Sequence, residues 1–548
     1  MKKAILLILV ITLAFTLRFF KIGDYPATLY GDEQAFAWNA YNILLTGQDE
    51  YGTPYPLQFR SFNDYKSPIP VYLLVPFLKV FGLNNFSIRL PIVIFSSLSI
   101  LITYLLAKEF THNKIALISA FLMAISSWHV HLSRGYFEAT LSLFFFITGV
   151  YFNRRSKQRI GLFLVGMLFF ALSIYSYFTP RMLLLVFIPF LFIYDLKYQS
   201  LNNSVNMKNV KNKIIRNYIF GLTFLFIVSF PLLKATLYGG GFSRFNNLSG
   251  SMNKIITETV VKERNASLLP DIWRKLFHNK VTVWIRQVKN NYLEHLSINF
   301  WYLYGDNSLR YFTGNMGMFY LSELLFFIPG LYFLYRENRK AAVFFLFWIF
   351  LAPIPASIVG RPFAVRSIAM LPAPFMFVAY GIYKTISIKK SQYTHMIFPL
   401  VITLFSVFSL GSVLIRYYKE YPVYAATWWG WENKAAIDYA KESQESYDNI
   451  FISDYYTGAP LAFAVYSRYD PVEFRKALNN PVVMADSRHL VKLGKYYFGS
   501  LDVDKKRLEE GIIPPKSLYI GRPEETDTGE TINAPDDNRI IFHIYKTN

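Results

Sequence analysis

The stretch NDYKSPIPVYLLVPFLKVFG, residues 63–82, decides how the chain is threaded. Its apolar part, 68–82, carries three prolines and a lysine. At about 1.5 Å per residue it is too short to cross a hydrocarbon layer roughly 30 Å thick. Eleven other apolar stretches are candidate spans, at approximately 4–20, 91–108, 114–130, 139–153, 160–177, 182–196, 217–233, 319–335, 341–359, 367–383 and 396–416. Four connections between them are basic and nearly free of acids: RRSKQR (154–159), the segment 197–216, RENRK (336–340) and 384–390. Such loops face the cytoplasm in most polytopic proteins. Counting back from Arg154 puts 131–138 and 83–90 outside, whereas the basic N-terminus puts 21–67 outside as well. Both hold only if 68–82 does not cross. It is therefore expected to lie in the interface as a juxtamembrane helix.

Composition agrees with a membrane protein. Of 548 residues, 53% are hydrophobic and only 17% charged. The mean hydropathy is +0.25. Soluble domains carry about 25% charged residues. Aromatics at 18% suit many membrane–water boundaries. The net charge of +21 would raise nucleic acid as a partner in a soluble protein, but here the basic residues sit between apolar runs and set orientation. With no cysteine, disulfides and thiol chemistry are excluded. The N-terminal apolar run has no small-residue cleavage site behind it and is read as a retained span.

The expected fold is thus an α-helical polytopic membrane domain over 1–416, with about eleven spans, a first external loop at 21–90 and a long one at 234–318. A small external α/β domain is expected over 417–548. Its helices are expected at 432–443 and 460–468, its strands at 449–453, 517–520 and 539–544. No internal repeat is evident, so the inverted-repeat signature of many transporters is missing.

Bilayers penalise polar groups, and the notable ones here fall on the external side of this threading. The first loop holds LYGDEQAFAWNAYN (29–42), with Asp32 and Glu33, and later Arg60, Asp64 and Lys66. The second, SSWHVHLSRGYFEA (126–139), holds His129, His131, Arg134 and Glu138. Arg181 ends the turn YSYFTPR, and IPASIVGRPFAVRS (354–367) carries Arg361 and Arg366. External arginines run against the usual charge bias. Guanidinium and ammonium groups at headgroup depth suit a lipid-linked phosphate. A carboxylate on the same face suits deprotonation of a nucleophile, or a divalent cation. Each is also readable as an ordinary solvated or headgroup-binding side chain. The histidines lack a metal-binding spacing, and Gly305–Asp306 is only a turn signal.

Taken in order, GDEQ, DYKSPIPVYLLVPFLKVFGLNNFSIRLP, ISSWHVHLSRGYFEA, SYFTPRM, YLYGDNSLRYFTGNMGMFYLSELL and APIPASIVGRPFAVRSIAMLP resemble the membrane glycosyltransferases of the GT-C fold. Nearest among these are the protein O-mannosyltransferases and lipid A aminoarabinose transferases, over about residues 10–440. The resemblance implies an inverting transfer of a hexose or pentose from a polyprenyl-phosphate donor to an extracytoplasmic acceptor, which can be a protein, a lipid or a glycan. It implies Asp32 as catalytic base with Glu33 as second choice. Lys66, Arg366, Arg361 and Arg134 are implied as donor-phosphate ligands. Glu138 is a supporting acid or a ligand to a possible divalent metal cation. The protein would sit in the cytoplasmic membrane, among membrane lipids, without nucleic acid as partner. Departures are Lys66-Ser67-Pro68 in place of a KPP-like segment, and Asn85 where relatives carry an acid. Two other classes compete: a lipid-linked glycan transporter or polymerase, and a non-enzymatic receptor or assembly factor.

Overall fold

The computed structural model describes residues 2–62, 64–157, 159–198, 207–238, 243–387, 392–454, 458–483, 488–501, 511–527 and 529–547. These form two compact units: Met1–Phe20 with Ile92–Leu414, and Lys21–Pro91 with Ile415–Asn548.

The first unit is helical. Each of the eleven expected apolar stretches overlaps helix, from Lys2–Phe19 to Gln392–Ile415, but 114–130, 341–359 and 367–383 are each divided between successive helices. Among the described residues, four helices are long and apolar enough to cross a membrane alone: Asn85–Phe110, Thr179–Tyr198, Met207–Tyr238 and Arg339–Val359. The pair Ala364–Met370 and Ala373–Ser387, bent by 57°, passes the same criterion together. Small residues let two helices touch. A side chain at Gly330 would meet the Phe377 carbonyl at 1.8 Å, and one at Gly381 the Phe326 carbonyl at 2.1 Å. The Leu321–Glu337 and Ala373–Ser387 helices therefore pack backbone to backbone, as small-residue pairs do in lipid. Some of the buried polar groups are paired: Arg154 Nη1 lies 2.7 Å from Asp195 Oδ1, and the Tyr218 hydroxyl donates to Asp195 Oδ2.

The second unit is built around a seven-stranded mixed sheet in the order Val482–Val483, His489–Leu493, Tyr496–Phe498, Asn449–Ile452, Ser517–Gly521, Ile540–Lys546, Glu530–Asn533. Among the described residues, only the pairs of Asn449–Ile452 with its two neighbours are parallel. Phe451, Leu490, Leu501, Ile513 and Tyr519 fill one core. The α/β character and the five expected elements are present, at Trp431–Glu442, Asn449–Ile452, Ala459–Ser467, Ser517–Gly521 and Ile540–Lys546. The strands at 489–493 and 496–498 and the Pro471–Asn479 helix were not legible, being short, half-polar segments whose pairing comes from neighbours.

Residues 21–91 group with the tail rather than with the helices that flank them in sequence. The Gly31–Thr46 helix explains why. Ala35, Phe36, Trp38, Ala40 and Ile43 are buried on it, as are Gln34, Asn39 and Asn42, so it is covered on several sides. It packs on Pro68–Phe81, Ala459–Ser467 and Pro471–Asn479. Trp38 meets Phe474 edge-on at 4.9 Å, and Tyr30 meets Trp429 at 5.5 Å. Thr28 donates to the Trp429 carbonyl, and Arg475 Nη2 to that of Asp49. The stretch at 68–82 is a 14-residue helix, Pro68–Phe81. Its prolines at the first turn remove N–H groups that would lack partners anyway. Its length, about 21 Å, is short of a bilayer core.

Candidate active site

Asp32 and Glu33 lie in the first turn of the Gly31–Thr46 helix, where the helix dipole favours acids. Helical geometry sends these neighbours in different directions, and their surroundings diverge. Glu33 is fully buried and forms a forked pair with Arg89, Nε to Oε1 at 2.9 Å and Nη2 to Oε2 at 3.1 Å. Its Oε2 also accepts from the Tyr30 N–H. Arg89 in turn donates to the carbonyls of Ile22, Pro26 and Thr28, so the pair fastens the 22–28 segment. Asn85, at the position where the resemblance expects an acid, donates to the carbonyls of Gly23 and Ala27 in the same segment.

Asp32 instead keeps 31% of its side chain exposed. Its Oδ1 lies 2.5 Å from Lys66 Nζ. Lys66 comes from a two-stranded antiparallel ribbon, Phe59–Ser61 with Asp64–Lys66. Alternation along a strand puts Asp64 and Lys66 on one face, and Asp64 Oδ2 is 3.2 Å from the ammonium. Lys66 is therefore buried yet held between two carboxylates, both of which are partly exposed.

Behind this trio sits Glu50, whose N–H donates to Asn39 Oδ1 on the same helix as Asp32. Burial pushes its carboxyl from an ordinary 4.5 up to about 8, opposed by the Ser61 hydroxyl, Lys66 and Arg60 and reinforced by Asp49. The folded state thus holds a proton that the unfolded chain releases. Its stabilising contribution is complete below about pH 4.5 and is lost as pH rises towards 8. Glu50→Gln is expected to flatten the fall of the thermal midpoint over that window, read by melting both proteins across pH. A variant falling as steeply as wild type would contradict a proton on Glu50.

The remaining expected residues lie in the helical unit. Arg134 is buried, and its Nη1 donates to the carbonyls of Leu17 and Arg18. Glu138, at the start of the Glu138–Ser156 helix, is buried near Tyr136. Arg361 is exposed. The half-buried Arg366 lies 4.8 Å over the Phe363 ring. Asp306 proves to be more than a turn residue: Oδ2 accepts from the Ala364 N–H and Oδ1 from that of Ser308, which ties the 299–317 segment to the arginine-bearing turn. Burial raises its carboxyl to about 6, against the pull of these two N–H groups and Arg366.

The structure thus brings Asp32 and Lys66 together and separates Glu33 from both in role. Arg89 and Glu50 were missed by sequence reasoning. Arg89 stands at the head of an apolar stretch like many interfacial arginines, and only its burial against Glu33 distinguishes it. Among the described residues, no three His, Asp or Glu side chains are grouped to hold a metal ion. The ammonium of Lys66 occupies the space between the carboxylates of Asp32 and Asp64. The residues present do not fit a divalent cation there.

Comparison with known proteins adds three findings. Residues 65–209, beginning beside Lys66, match the model of the dolichyl-phosphate-mannose-protein mannosyltransferase family. The oligosaccharyltransferase AglB from Archaeoglobus fulgidus, solved with an inhibitory peptide and a dolichol-phosphate, is similar over 84% of this chain at 14% identity and a TM-score of 0.51. This chain spans 63% of the length of AglB. ArnT from Cupriavidus metallidurans bound to undecaprenyl phosphate is similar over 98% of this chain and 97% of its own, at 10% identity and a TM-score of 0.53. No curated protein matches by sequence. The fold is therefore that of the GT-C membrane glycosyltransferases: many apolar helices joined to a C-terminal sheet domain.

Proposed function

We propose that this chain is an integral-membrane, inverting glycosyltransferase that moves a single hexosyl or pentosyl unit from a polyprenyl-phosphate donor to an acceptor outside the cytoplasmic membrane. The observation that carries the reading is the Lys66 ammonium, buried and held between Asp32 and Asp64 where the family match begins. The polyprenyl phosphates bound by ArnT and AglB support the donor class. The proposed domains are a membrane-embedded catalytic region over 1–416 and an extracytoplasmic domain over 417–548.

In an inverting displacement the base and the leaving group act on opposite faces of the sugar, with the acceptor between base and anomeric carbon. Asp32 and Lys66 at 2.5 Å leave no room for that, so the pair describes the enzyme before donor binding. A lysine on a flexible four-carbon stem can exchange one anion for another. The donor phosphate then takes the ammonium from Asp32 while Asp64 retains its hold. Asp32, released and solvent-facing, accepts the proton of the incoming hydroxyl or amine. The anomeric carbon–oxygen bond to phosphate breaks as the bond to the acceptor forms, and the electron pair leaves with the phosphate, stabilised by Lys66. Arg366 and Arg361 are proposed as further phosphate ligands on the strength of the resemblance. The buried, carbonyl-bound Nη1 of Arg134 supports a role in fastening the first helix. No step here requires a metal ion.

The test offers purified protein a panel of polyprenyl-phosphate sugars and follows release of the lipid phosphate. Lys66→Ala is expected to lower kcat/KM for the donor by about 10²–10³-fold, the scale of losing one charged leaving-group contact. Failure of wild type to release sugar from every donor, with membrane extract supplied as acceptor, would sink the reading.

A further inference from the structure

A cavity of about 320 Å³ lies within the helical unit, among the helices Asn113–Ile125, Leu321–Glu337, Ala373–Ser387 and Gln392–Ile415. Its walls are mostly apolar, including Leu122, Phe326, Ile382 and Phe405. Glu323 lines it as well, only 4% exposed. Oε2 of Glu323 accepts from the Tyr320 N–H, which caps the helix, but Oε1 has no hydrogen-bond partner. A buried carboxyl oxygen beside an apolar cavity is costly while it lacks a partner, and a donor entering the cavity would offset that cost. In membrane helices such a group marks a binding function by default.

Shape and charge narrow the occupant. The Leu321–Glu337 and Ala373–Ser387 helices run in the same direction, Phe327 against Phe377 and Lys384 against Glu337. Glu323 and Thr385 therefore stand at opposite ends of the lining, on the order of 15 Å apart along the helix axes. A cavity of that volume and length has the width of one hydrocarbon chain. At its rim Leu325 and Phe405 are 69% and 54% exposed, so it opens on an apolar, lipid-facing surface. Glu323 lies in the first turn of its helix, near one end of the expected span 319–335 rather than at its middle. Among the described residues, the lining contains one acid and no Lys, Arg or His. The lining therefore offers no counter-charge to an anionic chain end, including a polyprenyl phosphate.

We infer that this groove binds a membrane aminophospholipid, one acyl chain filling the cavity and the primary ammonium donating to Glu323. The site shares no residue with the proposed donor site and does not depend on the transfer reaction.

Full-length protein in detergent would be incubated with palmitoyl-oleoyl phosphatidylethanolamine, phosphatidylcholine or phosphatidylglycerol and examined by native mass spectrometry. The ethanolamine lipid is expected to remain bound, whereas the choline lipid, with no N–H to donate, and the anionic glycerol lipid dissociate. Glu323→Gln preserves the cap, since Gln serves as well as Glu at that position. It is expected to lower retention of the ethanolamine lipid about tenfold, the scale of one charged hydrogen bond. An unchanged thermal midpoint in lipid-free detergent would confirm that the variant is folded. Equal retention of the three lipids, or of the ethanolamine lipid by both proteins, would overturn the assignment. Absence of sugar transfer by the wild-type protein, with its lipid retention intact, would count only against the proposed function.

Discussion

Asp32→Asn is expected to reduce sugar transfer by about 10²–10⁴-fold, the usual worth of a positioned general base, with no loss of fold. The substitution keeps the shape of the side chain and removes only its ability to take a proton. It is also structurally mild. Asp32 is partly exposed, and Lys66 retains Asp64 as a charged partner when Asp32 becomes neutral. Initial rates at saturating donor should show the loss in kcat, since Lys66, the proposed phosphate ligand, is intact. An Asn variant that turns over at the wild-type rate would remove Asp32 from the mechanism. Because Glu33 is adjacent, the pair supplies its own control: Glu33→Gln should change stability first, and activity only as far as the fold loosens.

The largest expected effect on stability comes from Arg89→Ala. Truncation strips the counter-charge from a fully buried Glu33 and abandons donors to the carbonyls of Ile22, Pro26 and Thr28. Breaking a buried pair by removing one partner typically costs about 3–5 kcal/mol, because the other charge is left uncompensated in low dielectric. The loss should appear as a fall of several degrees in the thermal midpoint, together with faster proteolysis around residues 22–28. Removing both charges, as Arg89→Leu with Glu33→Leu, should recover part of the loss, since no buried charge then remains. If the single Ala variant melts with wild type, Glu33 cannot be a buried anion.

The apolar helices were legible from sequence because they are continuous and long, and because length and hydropathy are local properties. The prolines and shortness of 68–82 are local too, and it forms one of three shorter apolar helices among the described residues, with Asn113–Ile125 and Ile160–Ser176. The ribbon 59–66 and the placing of Lys66 beside Asp32 were not readable from the residues alone. They join positions 34 apart through a strand pair of three residues each, too short for any periodic signal. Resemblance to a family supplied their roles without their contact.

What the amino-acid sequence determined by itself was the alternation of apolar and basic segments, and hence a polytopic helical protein with its acids gathered in particular loops. The choice between Asp32 and Glu33 was beyond it. Both are acids, adjacent, in one helix turn, and their propensities do not differ usefully. Tertiary structure decides, because Arg89, 56 residues away, buries Glu33 in a forked ion pair while Asp32 is turned to Lys66 and solvent. Likewise only the folded chain shows that residues 21–91 and the tail form one unit. Burial and charge pairing depend on which distant segments meet, and that information is spread over the whole chain rather than written at any one stretch of it.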